Sequence, residues 1–507
     1  GVYQGTYSKQ GTTGLDFVRS GYNFSHLKSK KEFLFTEGLL KRNSLIQPYQ
    51  RLVRIITKGK VLNENLDDIL PDTKSLIKLV FKKLNVKFDI FLLTFNAGFS
   101  KTIKLRFYYP VGVTGPLAQV IDGMTNEFNA SHPNIKVEPV YCGNYNNTMQ
   151  KVQAAVMSGR PPDIAVVEIS ELYTLLALNS IIPLDKYIEK EGGKDFLNQY
   201  FSAFFGNAKA RGKIWGFPFQ RSTPVLYWNK DLFLKHAAEL KAEGLDPERA
   251  PRTWYELVEY AKILTERSGN ETKVYGLILP GGWNDWIFEG FVRQNGAQLI
   301  SDDGKKAYFD TLDVLEPLIL WYKLTNILKV SPPLRPWNTT PIDFAAGKAA
   351  MMYYSTGGLP TIRKQAKFRF GVAFLPKNVQ YGTPVGGGDF HIFRKIPKEN
   401  QDAAWEFIKF MTTPEKAAYW SRKSGYVCIN KKGLELPEMK KYLAKYPNAK
   451  VAAEQLVYSY PKIMATNYQM IRKILTTNLD DVMLGRQTPK KALEKIQKEV
   501  QQILEQY

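Results

Sequence analysis

Apolar and polar positions alternate at Ile103, Leu105 and Phe107, which predicts a strand. At Leu117, Val120, Ile121, Met124 and Phe128 the apolar spacing lengthens to that of one helix face, opened by Pro116. A second strand is expected over Ile135 to Val140 and a helix on Met149, Val152 and Val156. After the turn Gly159-Arg160-Pro161-Pro162 comes a buried strand from Ile164 to Val167, with Ser170 able to cap the next helix. Strands alternating with helices at this spacing indicate an α/β fold with largely parallel pairing, in which ligands sit at the carboxyl ends of strands. Tyr145 lies just past one such end and Glu168 at another.

The stretch FPFQRSTPVLYWNKDLF, Phe217 to Phe233, sets a hydroxyl-bearing turn directly before an apolar strand and a helix start. Pro224 removes a backbone donor and biases Thr223 toward extended geometry, so Ser222-Thr223-Pro224 cannot lie inside a helix. Val225, Leu226 and Tyr227 favour a strand, and Asn229 or Asp231 can cap the helix beyond it. Farther on, Trp254 to Leu264 and Leu312 to Tyr322 carry helical patterns, and Thr488-Pro489 starts a helix with Ala492, Leu493, Ile496, Val500, Ile503 and Leu504 on one side.

Residues 1–80 show no sustained period and mix basic runs with short apolar pieces, so poor order is expected there. The chain begins with glycine and its first methionine is Met124, from which a missing or misread upstream part is expected. Lys82-Lys83 and Lys87, the apolar run Phe88 to Phe95, and small residues at Gly98 and Ser100 have the layout of a secretory signal cleaved after Ser100. Asp89 interrupts that run, so a buried core segment is the alternative. The run is too short to span a bilayer, and no other stretch approaches the ~20 apolar residues required.

Composition narrows the function classes. With 44% hydrophobic and 23% charged residues the chain is that of a folded protein, long enough for two or three cores. Cys142 and Cys428 are too few for a disulfide framework, and four scattered histidines give no metal-ligand spacing, so neither metal nor cofactor is expected. The net charge of +22 suits nucleic acid, an anionic surface or a small anionic ligand, but equally a lysine-rich solvated surface. No nucleic-acid motif accompanies it, and nucleic acid is not an expected partner. Walker loop, GxSxG elbow and HExxH are all missing. Gly386-Gly387-Gly388 reads as a flexible turn, and His391 after Asp389 as a structural histidine. No catalytic residue is assigned. Tyr145, Trp283, Trp286 and Tyr426 lie beside glycines or in polar turns, where rings either plug a core or line a cleft; Arg472, amid Ile471, Ile474 and Leu475, is either a surface charge or a grip for a phosphate or carboxylate.

These pieces, in this order, resemble the family-one extracellular solute-binding proteins of ABC importers, most of all the branch that binds sn-glycerol-3-phosphate. The likeness covers about residues 102–507. It rests on Gly143-Asn144-Tyr145, Pro162 to Glu168, STPVLYWNK from Ser222, Gly281 to Trp286, Ser355 to Gly357, Gly386-Gly387, Lys423 to Tyr426, Ile471-Arg472 and GRQTPKKAL from Gly485. The resemblance implies a two-lobed periplasmic-binding-protein-like fold (type II), α/β throughout, with lobes joined by hinge strands. The first lobe would be 101–222 with 387–425, the second 226–385 with 428–507, and the chain would cross between them after Ser222. It further implies capture of a small molecule by hinge closure, delivery to a membrane permease, a monomer, and a periplasmic location. The ligand contacts it carries over are Tyr145, Glu168, Ser222, Ser355, Gly387, Tyr426 and Arg472, the last on a phosphate, with Trp283 and Trp286 as nearby walls. Two departures stand out. Tyr108-Tyr109-Pro110 replaces a Trp-His-Ser run and would reshape one end of the site, and Arg221 replaces a small polar residue and would add positive charge.

Overall fold

The computed structural model describes residues 102–113 and 116–506. The expected irregular extension and the signal-like segment at 82–100 lie outside the described residues. Strand β1 (Ile103–Tyr109) buries Leu105, Phe107 and Tyr109 and exposes Lys104 and Arg106, as its alternation requires. Helix α1 (Leu117–Ser131), β2 (Ile135–Tyr141), α2 (Tyr145–Met157) and β3 (Ile164–Glu168) come next, at the expected places. Every residue of β3 is buried, because the strand is covered on both faces. The expected cap at Ser170 is not formed: Glu168 accepts from the Ser170 N–H at 3.1 Å, and the Ser170 hydroxyl is buried inside the short turn that results.

The chain then runs through β4 (Phe217–Ser222) and β5 (Pro224–Asn229), both wholly buried and separated by Thr223 alone. Asn229 accepts from the Leu232 N–H at 3.0 Å and starts a helix there. Two long helices, α3 (Asn284–Gln294) and α4 (Leu312–Tyr322), precede β6 (Met351–Ser355) and β7 (Phe370–Ala373). Next come β8 (Gly386–Ile392) and α5 (Lys398–Met411), and finally α6 (Tyr468–Met483) and α7 (Pro489–Leu504).

Two sheets organise these elements. The larger has the order β2-β1-β3-β8-β4, and the smaller β6-β5-β7. In the larger, β1 is parallel to β2 and β3, while β8 runs antiparallel to both β3 and β4. In the smaller, β5 pairs antiparallel with both neighbours, so the parallel expectation holds for the first sheet only. The chain therefore changes sheets at Thr223: Ser222 is the last residue paired in the larger sheet and Pro224 the first in the smaller. Around the crossing, the Thr356 N–H donates to the Thr223 carbonyl at 3.1 Å and Gln455 Nε2 to the Pro224 carbonyl at 2.9 Å. Gly386-Gly387-Gly388 is not a flexible turn. It opens β8, paired with β4 on one side and, from Gly388, with β3 on the other.

Packing is arranged about the sheets. Phe107 of β1, Phe128 of α1 and Phe407 of α5 meet edge to face on one side of the larger sheet, with Phe407 5.1 Å from each of the other two. Met149 and Val152 of α2 pack with Ala165 and Val167 of β3 on the other side. Beside the smaller sheet, Phe291 of α3 packs against Tyr353 of β6 and Trp321 of α4. No helix among the described residues is long and apolar enough to cross a membrane.

Candidate functional site

Three chain reversals set polar side chains at the junction of the two sheets. Asn144 caps α2 reciprocally with Asn147: its side chain accepts from the Asn147 N–H at 3.0 Å, and the Asn147 side chain accepts from the Asn144 N–H at 3.2 Å. Tyr145 is thereby the first helical residue, and its hydroxyl donates to Gln220 Oε1 at 2.7 Å. Glu168 closes the turn after β3, and Ser355 does the same after β6 by accepting from the Gly357 N–H at 3.1 Å. Two strand ends, one from each sheet, thus finish in the same side-chain-to-backbone turn. Ser222, at the end of β4, and Gly387, near the start of β8, lie between them.

These groups surround a single cavity. Tyr145, Glu168, Ser222, Gly387 and Tyr426 line it with Trp283, Trp286 and Ser355, joined by Gly112, Val113, Gly386, Trp337 and Lys462. It is narrow, with about 30 Å³ open to water. The walls nearly touch: the Tyr145 and Trp283 rings lie 6.0 Å apart edge to face, and Trp337 Nε1 donates to the Gly112 carbonyl at 3.3 Å. Trp286 Nε1 is held by the Val385 carbonyl at 3.1 Å. Burial raises the Tyr145 phenol well above its ordinary value and pushes Tyr426 up to about 12, so both stay neutral donors at pH 7.

A buried charge network backs the cavity. Lys462 Nζ donates to Glu168 Oε1 at 2.9 Å and stands 3.7 Å from Asp285 Oδ2, while Arg472 Nε lies 3.4 Å from Asp285 Oδ1. Burial would raise Asp285, but Arg472, Lys462 and the Tyr468 hydroxyl outweigh it and hold the carboxyl below its usual range. For Glu171 and Glu289 burial outweighs the nearby cations, Lys462 among them, and pushes both up to about 8, so that they are mainly protonated at pH 7. Beneath the floor Arg221 and Asp389 form an ion pair at 2.8 Å, both fully buried. The charge that Arg221 was expected to add is therefore cancelled by Asp389. The His391 Nδ1 lies 3.0 Å from the Trp215 carbonyl, and burial lowers the imidazole to about 4.

Of the expected ligand residues, all but Arg472 line this cavity. Arg472 lines a neighbouring space of about 260 Å³ with Asn146, Gln150 and Lys473. Its guanidinium stacks 3.4 Å from the Trp283 ring centre, and it donates to Asn146 Oδ1 at 2.7 Å and to the Gly282 carbonyl at 2.5 Å. Of the Tyr108-Tyr109-Pro110 run, Tyr108 packs against the buried cluster that includes Met149 and Val167 and is not among the residues lining the cavity. Lys462, Trp337, Gly112 and Val113 were missed. Lys462 carried one signal, a lone cation within Tyr458 to Met464, flanked by aromatic and apolar residues. Both cysteines are free, and among the described residues no three His, Cys, Asp or Glu side chains gather as a metal site.

Comparison with known proteins is consistent in kind. A family model described as bacterial extracellular solute-binding protein matches residues 123–503. The chain is 30% identical over 414 residues to the sn-glycerol-3-phosphate-binding periplasmic protein UgpB of Escherichia coli K12, covering 78% of this chain and 91% of that one. Among solved structures it resembles UgpB from Mycobacterium tuberculosis in complex with glycerophosphocholine, with a TM-score of 0.68 and 23% identity over 80% of this chain and 98% of that one. It also resembles maltose-bound MalE3 of T. maritima, with a TM-score of 0.67 and 20% identity over 78% of this chain and 99% of that one.

Proposed function

Because this chain belongs to the bacterial extracellular solute-binding proteins, we propose that it captures sn-glycerol-3-phosphate or a glycerophosphodiester between two lobes and hands it to an ABC permease. The observation that carries this reading is the one cavity lined from both sheets by Ser222, Ser355, Tyr145 and Tyr426 hydroxyls and by tryptophan rings. Such a lining meets phosphate oxygens with donors and the carbon backbone with apolar faces. The lobes in this reading are 101–222 with 387–425 and 226–385 with 428–507, hinged at Thr223. In this reading the lobes part to admit the solute, and a ligand touching both lobes stabilises the closed state by its differential affinity. The protein acts as a periplasmic monomer and binds without turnover.

Arg472 enters as the phosphate grip. A phosphate at the lobe seam would take its fork in place of Asn146 and the Gly282 carbonyl. The three tryptophans around the cavity favour a second reading, a neutral sugar stacked on their faces. Thermal unfolding in excess sn-glycerol-3-phosphate, glycerophosphocholine, maltose or trehalose separates the two, since ligand at ~1,000 times Kd adds about 4 kcal/mol to the folded state. In the first reading only the phosphates raise the midpoint, and Arg472→Ala weakens them about tenfold to a hundredfold. A rise with a disaccharide alone, untouched by Arg472→Ala, would replace the first reading with the second.

A further inference from the structure

Lys462 sits on the segment that threads between the two halves. Its own N–H donates to Asn207 Oδ1 at 3.0 Å and its carbonyl accepts from Asn207 Nδ2 at 2.8 Å, while the next N–H, on Ile463, donates to Glu289 Oε1 at 2.9 Å. The side chain is buried in the cavity wall, so the backbone fixes where the ammonium stands. An ammonium has three donors. Among the described residues its one hydrogen bond goes to Glu168 Oε1, because Asp285 at 3.7 Å is beyond hydrogen-bond reach. Glu168 in turn accepts from Ser170 through Oε2, which leaves further lone pairs on both carboxylate oxygens.

We infer that Lys462 is a specificity-determining residue that, paired with Glu168, reads two neighbouring hydroxyls of the bound solute: one accepts from the ammonium and the other donates to the carboxylate. Donor and acceptor stand 2.9 Å apart, close to the separation of hydroxyl oxygens on adjacent carbons. Charge also selects this chemistry. Lys462 is balanced by Glu168, so the pair is neutral, and an anion set against it would face the Glu168 carboxylate. The inference rests on the cavity being the solute site proposed above, and it holds whether the other end of the solute is a phosphate or a sugar ring.

The test titrates the full chain calorimetrically with sn-glycerol-3-phosphate, with 3-hydroxypropyl phosphate, which lacks the central hydroxyl, and with maltose. Lys462→Met strands Glu168 beside an apolar group and can cost the fold, so the deciding variant is Lys462→Met with Glu168→Gln, checked by its ligand-free unfolding midpoint. The wild type is expected to prefer sn-glycerol-3-phosphate over 3-hydroxypropyl phosphate by at least about tenfold, and the double variant by less than about twofold. Should maltose be the probe that binds, the double variant binds it at least about tenfold more weakly. No wild-type preference, a preference kept by the variant, or unchanged maltose affinity overturns the inference while the binding reading stands. Absence of binding by all three probes overturns the binding reading and the inference with it.

Discussion

A Cβ on Gly387 would stand 1.6 Å from the Gln220 carbonyl oxygen, and the residue already sits at φ +106°, where side chains are strained. Its neighbour Gly386 would push a Cβ to 2.3 Å from the Trp286 ring. These glycines let β4 and β8 close over the cavity floor. Gly387→Ala is expected to destabilise the protein by roughly 3 kcal/mol or more, read as a fall in the urea midpoint, whereas a loss under about 1 kcal/mol would mean the strands can separate freely. At this scale the sequence was legible for side chains that lie next to a turn signal, such as Tyr145 after Gly143-Asn144. It was not legible for Lys462 or for the Arg221–Asp389 pair. Nothing near position 221 in the chain announces a partner 168 residues away, and a lysine without a motif reads as surface.

Among the elements, strand and helix spans came from local period wherever side chains carried one. β1 alternates, α1 and α7 repeat at helical spacing, and β3 is a short apolar run. β8 begins with three glycines, which have no side-chain pattern, and only its pairing with β3 and β4 makes them a strand. The start of α2 is where an element and the site share a cause. Asn144→Ala removes the bond its side chain accepts from the Asn147 N–H, one of the two in the reciprocal cap, and should cost about 1 kcal/mol of stability. Because Tyr145 is the next residue, solute affinity should fall as well. Thermal unfolding with and without solute separates the two effects, and a variant that loses stability yet keeps full affinity would show that Gln220 alone positions Tyr145.

For the whole molecule, two buried carboxyls, Glu289 and Glu171, set a pH dependence. Glu289 is pushed from its ordinary 4.5 up to about 8 by burial, and Glu171 likewise. Between those values the folded state keeps a proton that the unfolded state has released, so stability falls as pH rises through the window. Each group accounts for on the order of a few kcal/mol. His391, lowered to about 4, acts oppositely and weakens the fold as pH drops below about 6.5. Glu289→Gln is expected to flatten the decline in urea midpoint between about pH 5 and pH 8 relative to the wild type. Parallel curves for the two proteins would show that the buried carboxyl is not protonated in the fold.

The sequence by itself determined the α/β class, most element spans, the crossing at Thr223 and the resemblance that marked out Tyr145, Glu168, Ser222 and their companions. All of these depend on backbone preference and side-chain period over a few residues, or on ordered motifs. Only the tertiary structure decided that Arg221 is neutralised, that Arg472 stacks behind Trp283 rather than lining the main cavity, and that Lys462 stands against Glu168. Those are contacts between residues up to 294 positions apart. Coulomb forces and burial act through space, so which charges meet was not settled until the two sheets had closed on one another.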